Sequence, residues 1–398
     1  MRKILAGILI SALCAAVLFG CGKNKPGQNP VPDPQNSSQS ATVPDEKEPE
    51  KKDPEPDKKE PDVKEPDEKD PDEKEPDEKE PDEKEPDVKD PVKPAGSDVA
   101  VWYPYWDYDT ATQELQLIGR SLNTVCLFAA YYDVSNKAFI PEETINTYNE
   151  LKAAGLLNGR KTYLTFVNDK LLNSGSSLKD TDLLYALIGD KKKASAHIDE
   201  VVTLCRSLNC DGIEIDYEAI KKDKKLWGHF VDFITLLSER CTAENLSLRI
   251  VLEPSAPLTE YSWPANAEYV MMCYNLYGYG TVPGAKAETE WIKSLCAQMK
   301  NMPGTPNMAF ATGGFDFYSN GNVDQIDYKE AVLRMNSHGA VPNRDAASGD
   351  MYYTYTDDSG MSHEVWYADQ ETLKLWIGTA KNCGVNRVSI WRFGGNIL

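Results

Sequence analysis

Histidine is scarce in this chain, and its cysteines lack the spacing of a metal site. The 398 residues include four histidines, which lie far apart in the sequence: His197, His229, His338 and His363. The seven cysteines after Cys21 include no CxxC pair: Cys126, Cys205, Cys210, Cys241, Cys273, Cys296 and Cys383. An odd number of scattered cysteines is typical of small buried side chains, not of a disulfide framework or a zinc site. We therefore expect no metal and no other cofactor.

Positive charge is also in short supply. The chain has 43 lysine and arginine residues against 63 aspartate and glutamate residues, which gives a formal net charge of -20. An acidic surface repels nucleic acid and anionic lipid headgroups. We therefore expect no nucleic-acid partner, and no electrostatic attraction of the folded part to a membrane surface.

The first residues contain one hydrophobic run, and this run is short for a membrane span. It extends over residues 4–19, behind two basic residues. Residues 18–21 (LFGC) resemble a bacterial lipobox, in which Cys21 becomes the lipid-modified first residue of the mature chain. We predict a lipoprotein signal peptide over residues 1–20 and a lipid anchor at Cys21, on the extracellular face of the cell membrane. A plain secretory signal is the alternative.

Large apolar side chains are almost absent from residues 22–96, so this segment cannot bury a core. From Glu60 it repeats every five residues, with prolines in register: Pro61, Pro66, Pro71, Pro76, Pro81, Pro86 and Pro91. Proline at every fifth position prevents a continuous helix and favours extended chain. The segment has 14 lysines and 25 acidic residues, and fully extended it would reach on the order of 200 Å. We predict that residues 21–96 are a lipidated cysteine followed by a disordered spacer.

Residues 97–398 contain eight short apolar or β-branched runs, each of strand length. The runs are residues 99–105, 124–129, 161–167, 212–217, 246–252, 269–274, 308–311 and 387–391. Helical patterns between them are clearest at residues 142–154, 194–208, 226–240, 289–299 and 370–382. Parallel strands need crossover connections, which helices supply on the outer surface. The pattern predicts an α/β fold, a single (β/α)8 TIM barrel over residues 97–398.

A longer segment, about residues 312–369, separates the seventh run from the last helix. Within it, aromatic and β-branched residues at 352–355 and 364–367 flank an acidic turn at 357–360. This pattern is typical of a β-hairpin. We predict a small β-hairpin insertion after the seventh strand, which forms one wall of a cleft above the barrel mouth.

Residues 211–218 (DGIEIDYE) carry three acidic side chains that point the same way in an extended strand: Glu214, Asp216 and Glu218. Like charges about 7 Å apart repel by roughly 2 kcal/mol at an effective dielectric constant of about 20, so such a row should hold a proton at neutral pH. A half-exposed edge strand would show the same alternation for solubility alone. In a closed parallel barrel, however, the acidic face lies inside, where carboxylates are costly to bury. The row is therefore a candidate general acid.

The acidic strand and three other segments together resemble glycoside hydrolase family 18, the chitinases and related endo-N-acetylglucosaminidases. Residues 211–218 resemble the fourth-strand signature DGxDxDxE, and residues 271–275 (MMCYN) resemble the sixth-strand pattern MxYD. Residues 389–391 (SIW) are similar to the eighth strand of the family, and residues 101–106 (VWYPYW) to its first. The resemblance covers nearly all of residues 98–395, with the motifs in the family's order.

The resemblance implies a retaining, substrate-assisted mechanism, which is an exception to the two-carboxylate rule for glycosidases. Glu218 would protonate the glycosidic oxygen while the 2-acetamido carbonyl of the sugar attacks the anomeric carbon to give an oxazolinium intermediate. Asp216 would hold the acetamide N–H, Tyr274 would donate its hydroxyl to the acetamide oxygen, and Trp391 would stack beneath the sugar. Glu218 would then act as the base towards water. From the residues alone, Asp216 could instead be a direct nucleophile.

Two residues depart from the family pattern. Glu214 stands where aspartate is usual, at the inner catalytic position that shares a proton with the acid above it. Asn275, a candidate substrate contact, also stands where aspartate is usual, which should change the pH optimum. Tyr103, Tyr277 and Trp366 are further candidate contacts for sugar rings.

The leading hypothesis is an enzyme, a glycosidase that cleaves β-1,4 linkages after N-acetylglucosamine in peptidoglycan, chitin or the core of N-linked glycans. A non-catalytic protein of the same fold that binds such glycans is the main alternative, although the acid at Glu218 is present. A metal site on the carboxylate row would lack neighbouring ligands. The expected partners are an N-acetylglucosamine-containing glycan and, through Cys21, the membrane, and we expect a monomer.

Overall fold

The computed structural model describes residues 98–118 and 121–396 of the chain. The predicted signal peptide, the lipid anchor at Cys21 and the spacer up to residue 96 lie outside these residues. None of the helices in the described part combines the length and the apolar character needed to cross a bilayer.

Fifteen strands occur in the described residues and are numbered in chain order. They are β1 (Asp98–Pro104), β2 (Thr124–Tyr132), β3 (Ala138–Phe139), β4 (Lys161–Leu171), β5 (Ser176–Ser177), β6 (Gly212–Asp216), β7 (Ser247–Leu252), β8 (Glu268–Met272), β9 (Thr305–Ala311), β10 (Gly313–Tyr318), β11 (Val323–Ile326), β12 (Asn343–Arg344), β13 (Met351–Thr356), β14 (Ser362–Ala368) and β15 (Arg387–Trp391). Eight of them pair in parallel in the order β1-β2-β4-β6-β7-β8-β9-β15, and β15 pairs with β1 to close a barrel. The eight barrel strands coincide with the eight predicted ones, so the (β/α)8 fold is confirmed.

Eight α-helices occur in the same residues: α1 (Tyr108–Ile118), α2 (Glu142–Ala153), α3 (Thr181–Ile188), α4 (Lys191–Ser207), α5 (Lys224–Ala243), α6 (Thr289–Met299), α7 (Tyr328–Ser337) and α8 (Gln370–Asn382). Five of them follow an aspartate whose side chain accepts a hydrogen bond from a first-turn N–H: Asp180, Asp190, Asp223, Asp327 and Asp369. These caps stabilise the helix starts, because they satisfy backbone donors that have no partner within the helix. The five predicted helices are present, whereas α1, α3 and α7 were not predicted.

The largest apolar cluster fills the layer between the barrel and its helices. On β6, Ile213 and Ile215 belong to this layer and are fully buried. Glu214 and Asp216 alternate with them, so their side chains point into the barrel interior. The fold thus turns the acidic face of β6 inwards.

Gly212 allows β6 to lie close to its two neighbouring strands. A Cβ atom at this position would stand 2.4 Å from the Tyr163 ring on β4 and 2.6 Å from the carbonyl oxygen of Ser247 on β7. Such contacts are too short for any side chain, so glycine is required where the acidic strand begins.

The segment between β9 and α8 forms a second sheet that is larger than the predicted hairpin. Its five antiparallel strands have the order β11-β10-β14-β13-β12, and α7 packs on one face through an apolar cluster. The predicted hairpin is the β13–β14 pair, in which Tyr352 lies opposite Trp366. The other strands escaped prediction because β10 begins with two glycines and β12 has only two residues.

The second sheet lies beside the mouth of the barrel. Phe315 of β10 packs edge-on against Tyr279, with ring centroids 5.5 Å apart. Tyr279 belongs to the segment that follows β8, at the carboxyl end of the barrel. The sheet therefore forms a wall next to the end where TIM barrels carry their active sites.

Candidate active site

Glu214 lies inside the barrel and has no exposed surface. Its Oε1 accepts hydrogen bonds from Trp102 Nε1 at 2.6 Å and from Thr165 Oγ1 at 2.7 Å. Its Oε2 accepts from Arg249 Nε at 2.7 Å and from the Cys126 thiol at 3.6 Å. A carboxylate offers about four acceptor positions, and these donors occupy them.

These contacts indicate a structural role for Glu214, whose predicted catalytic role stays a prediction. Arg249 lies directly across from it on β7 and forms a buried ion pair with it. The oxygens of Glu214 are already bonded to four donors. It anchors the acidic strand inside the barrel.

Arg249 extends this network towards the amino-terminal end of the barrel. It contacts Glu268 and donates from Nη2 to Ser389 Oγ at 2.8 Å. Arg387 binds the same Glu268 at 2.6 Å. Burial raises the pKa of Glu268, but the two arginines outweigh burial and hold the pKa below its ordinary value. Paired charges thus fill this half of the interior.

Asp216, two residues further along the same face, has a different environment. Its side chain is 7% exposed, and its Oδ1 has no hydrogen-bond partner among the described residues. Burial raises the pKa of Asp216 well above its usual range, and the carboxylates of Glu218 and Glu214 raise it further. Asp216 therefore keeps its proton to a higher pH than an ordinary aspartate, with one oxygen available to a ligand.

Glu218 follows β6 at the barrel mouth. Its backbone N donates to Asn168 Oδ1 at 2.8 Å, and Asn168 Nδ2 donates to its carbonyl oxygen at 3.1 Å. The Glu218 side chain is 17% exposed, and its Oε2 lies 2.8 Å from Lys179 Nζ. The next residue, Ala219, donates its N–H to Glu253 Oε2 at 2.9 Å. The acid at the mouth is thus held in place and remains in contact with solvent.

Tyr274 and Trp391 belong to the apolar cluster inside the barrel, together with Trp102 and Phe128. The Trp391 ring packs edge-on against both of these neighbours, with centroids 4.8 Å from Phe128 and 5.8 Å from Trp102. A cavity of about 160 Å³ adjoins Trp391. Because Asp216 ends β6, Trp391 ends β15 and Tyr274 closely follows β8, all three lie towards the carboxyl end of the barrel.

Tyr103 does not face this interior, and its predicted contact with substrate is wrong. It is buried against α1, where its hydroxyl donates to Tyr108 O at 3.1 Å and is hydrogen-bonded to Thr112 Oγ1 at 2.6 Å. The reason is the two-residue period of a strand. Trp102 points into the barrel, so its neighbour Tyr103 points outwards.

The remaining candidate residues lie around the mouth. Asn275 is exposed and has a φ of 60°, and Tyr277 is half-buried and packs over Gly284. Trp366 is half-buried on β14 and stacks on Tyr352, with ring centroids 4.7 Å apart and planes inclined by 15°. The two rings form a flat, amphipathic surface on the second sheet.

Five neighbours of the acidic row were missed at the level of sequence: Asn168, Asp169, Lys179, Arg249 and Glu253. Asn168, Asp169 and Glu253 directly follow predicted strands, which is where TIM barrels place site residues, so a signal was present. Arg249 was also visible, as a charge inside an apolar strand. Lys179 lies in a loop and had no local signal. In the described parts of the chain, no three His, Cys, Asp or Glu residues are grouped as metal ligands.

The closed barrel and the carboxyl groups at the end of its fourth barrel strand define a domain of the glycoside hydrolase class. The model of the Glycosyl hydrolases family 18 matches residues 101–396. The chain belongs to this family.

Curated relatives with a related sequence come from Bacillus. "Uncharacterized glycosylase YvbX" of Bacillus subtilis (strain 168) is 25% identical over 228 residues, which are 54% of this chain and 66% of that protein. "Cortical fragment-lytic enzyme" of Bacillus cereus is 22% identical over 298 residues, 69% of this chain and 66% of that protein. The chain thus spans slightly less than two thirds of the length of each of these two relatives.

Solved structures share the fold. The chitinase from Chromobacterium violaceum ATCC 12472 superposes with a TM-score of 0.63 at 18% identity, covering 75% of this chain and 95% of that one. The Bacillus cereus spore cortex-lytic enzyme SleL gives 0.60 at 17% identity, covering 75% of this chain and 71% of that one. A class V chitinase from Nicotiana tobaccum in complex with NAG4 gives 0.59 at 14% identity, covering 74% and 94%.

Proposed function

We propose that this protein is a retaining glycosidase that cleaves β-1,4 linkages after N-acetylglucosamine. The observation that carries the proposal is the pairing of two carboxyl groups on one strand end. Asp216 is buried, has a raised pKa and has an unpartnered Oδ1, while Glu218 lies two residues later and reaches solvent. Tyr274 and Trp391 belong to the same barrel interior. Membership of the family and the NAG4 bound to the similar class V chitinase support this class of substrate.

The proposed mechanism gives each carboxyl group a separate task. Glu218 donates its proton to the glycosidic oxygen, and the carbonyl oxygen of the 2-acetamido group attacks the anomeric carbon as the leaving group departs. Asp216 holds the acetamide N–H through its unpartnered oxygen, and Tyr274 donates its hydroxyl to the acetamide oxygen. Glu218, now a carboxylate, then removes a proton from the water that opens the oxazolinium ring. The acetamide oxygen attacks the face opposite the leaving group, and the water then attacks the face that the leaving group vacated. These two inversions together retain the anomeric configuration.

Mass spectrometry of products tests this proposal. The purified protein is incubated separately with peptidoglycan, chitooligosaccharides and a high-mannose glycoprotein, with heat-inactivated protein as the control. We expect new reducing ends on N-acetylglucosamine from at least one of the three. Binding without any product from all three would contradict the proposal.

A glycan-binding protein without catalytic activity is the second candidate, and one observation favours it. The ammonium group of Lys179 lies 2.8 Å from Glu218 Oε2 and forms an ion pair with the group that must act as acid. A permanent ion pair of this kind would leave the site able to bind but unable to protonate a leaving group. The product analysis separates the two candidates, because only an enzyme releases new reducing ends.

Among the three glycans, we propose peptidoglycan as the substrate. Several of the related proteins carry the name cortical fragment-lytic enzyme or sporulation-specific glycosylase. Those names refer to relatives that extend beyond the matched region, so the identity of the glycan rests on the product analysis. We also propose that a lipid anchor at Cys21 holds the protein at the extracellular face of the membrane, and that the protein acts as a monomer.

A further inference from the structure

The proposed acid Glu218 does not stand alone at the barrel mouth. Its Oε2 is 2.8 Å from the ammonium nitrogen of Lys179, a residue of the loop between β5 and α3. An ammonium group at this distance favours the charged form of a carboxylate. A carboxyl group in this position must therefore lose its contact with the ammonium group before it can donate a proton.

Lys179 is held in this place by an unusual backbone. Its φ of 51° lies in the left-handed region, which disfavours side chains other than glycine by roughly 1–2 kcal/mol. Its N–H donates to Asp169 Oδ1 at 2.6 Å. A strained, hydrogen-bonded turn thus directs the lysine to Glu218, and strain of this kind is often found at functional positions.

Asp169 offers Lys179 a second acceptor. It is 1% exposed, and its Oδ2 has no hydrogen-bond partner among the described residues. The ammonium group of Lys179 and the carboxylate of Glu218 both act on it electrostatically. Lys179 therefore binds one carboxylate through its ammonium group and another through its backbone N–H, and the Oδ2 of the second is buried without a hydrogen-bond partner among the described residues.

Other charged groups around this cluster come from every neighbouring segment. They are Asp180 beside Lys179, Glu214 and Asp216 on β6, Lys221 after β6 and Glu253 after β7. Acidic groups outnumber basic ones in this set, so a single lysine carries much of the charge balance. A small movement of its ammonium group therefore changes which carboxyl group is best stabilised in its ionised form.

We propose that Lys179 is a positioning residue that keeps Glu218 ionised in the resting site and releases it when its ammonium group moves to Asp169. The proposal rests on the assigned role of Glu218 as the proton donor. While the ammonium group of Lys179 binds Glu218, the single proton that Asp216 and Glu218 share resides on Asp216. When Lys179 moves to Asp169, that proton passes from Asp216 to Glu218, so one proton is transferred and no charge is created.

The acidity of Asp169 is consistent with this exchange. Burial raises the pKa of Asp169 to about 7. The hydrogen bond from the N–H of Lys179 lowers this pKa, and the carboxylate of Glu218 raises it. Asp169 thus gains its negative charge near neutral pH. A charged Asp169 offers the ammonium group of Lys179 a second acceptor.

The pH dependence of kcat/KM tests the proposal on the glycan that the protein cleaves. Lys179→Met removes the ammonium group, so Glu218 keeps its proton longer and the alkaline limb should move to higher pH by about one unit. Lys179→Arg keeps the charge and should restore the original limb. Asp169→Asn confines Lys179 to Glu218 and should shift the limb the other way, to lower pH, with a lower kcat. Lys170→Met, in the same β4–β5 hairpin, is the matched control.

A second readout needs no substrate. The protein is labelled with 13C at the glutamate carboxyl groups, and the Glu218 signal is assigned by its loss in Glu218→Gln. The titration midpoint of this signal should rise by about one pH unit in Lys179→Met and in Lys179→Gln. Midpoints and alkaline limbs that coincide with those of the wild-type protein would overturn the proposal. Because the titration is independent of turnover, it decides the role of Lys179 even if no glycan is cleaved.

Discussion

At the scale of single residues, one alternating strand distributes its three acids among three environments. Glu214 accepts from four donors and is paired with Arg249, Asp216 is buried with an unpartnered oxygen, and Glu218 reaches solvent beside Lys179. The alternation on β6 sets the common direction of these side chains. Their different chemistry comes from neighbouring strands and loops, which are distant in sequence.

The buried ion pair between Arg249 and Glu214 gives a prediction about stability. Arg249→Met leaves the Glu214 charge buried without its partner, and we expect the free energy of unfolding to fall by about 3–5 kcal/mol. Arg206→Met breaks a surface arginine–glutamate pair with Glu244, and this control should lose far less. Urea denaturation of both variants measures the two values. Equal losses would contradict the structural role of Arg249.

The raised pKa of Asp216 predicts a pH-dependent effect on stability. The folded protein binds this proton more tightly than the unfolded chain, so the aspartate lowers stability as the pH rises through its folded-state pKa. Asp216→Asn cannot titrate and should be more stable than the wild-type protein at pH 8 by at least about 1 kcal/mol. At pH 4 the two proteins should differ much less. Urea denaturation at both pH values tests this, and a difference that is larger at pH 4 would refute it.

At the scale of elements, the barrel could be predicted from the sequence, whereas part of the second sheet could not. Eight apolar runs separated by helical patterns matched the eight barrel strands, because burial on both faces leaves a strong local signal. β10, β11 and β12 left no such signal, since they are short or begin with glycine. Tyr103 shows a further limit of prediction from the sequence, because the direction of its side chain depends on which face of β1 points into the barrel.

The same limit applies to the site. The acidic row, Tyr274 and Trp391 carry local motifs, so their positions could be proposed from the sequence. Lys179 reaches Glu218 across 39 residues of chain, and only the loop geometry brings the two together. Contacts of this kind depend on tertiary structure and leave no periodic pattern in the sequence.

The stacked rings on the β13–β14 hairpin predict a role in binding. We propose that Trp366 contacts a sugar away from the cleaved bond, so Trp366→Ala should raise KM about tenfold while kcat changes little. Leu333→Ala, on the exposed surface of α7 in the same insertion, is the control. Steady-state kinetics on a long glycan measures both. A fall in kcat with unchanged KM would contradict a role limited to binding.

At the scale of the whole molecule, we propose that the acidic residues 21–96 are a spacer that joins the barrel to a lipid anchor. The spacer would allow the barrel to reach a polymer at a distance from the membrane. Such an arrangement suits a substrate that is itself fixed in place, as a cell-wall glycan is. In this proposal, residues 21–96 would supply the reach and residues 97–398 would supply the site.

The anchor gives a prediction for the intact protein in bacterial cells. Cys21→Ala removes the proposed acylation site, and we expect the protein to move from the membrane fraction to the soluble fraction and to lose incorporation of labelled palmitate. Cys383→Ala, a half-buried cysteine of the barrel, should keep both properties. Membrane association and labelling that persist in Cys21→Ala would refute the lipid anchor.

The most direct test of the catalytic site compares kcat/KM of the wild-type protein and Glu218→Gln on the same N-acetylglucosamine glycan. Glutamine keeps the size of the side chain but cannot transfer the proton, so we expect a loss of at least about 100-fold. Glu260→Gln, an exposed acid in the segment after β7, should retain the wild-type value. Equal values for the wild-type protein and Glu218→Gln would contradict the assignment of Glu218 as the catalytic acid.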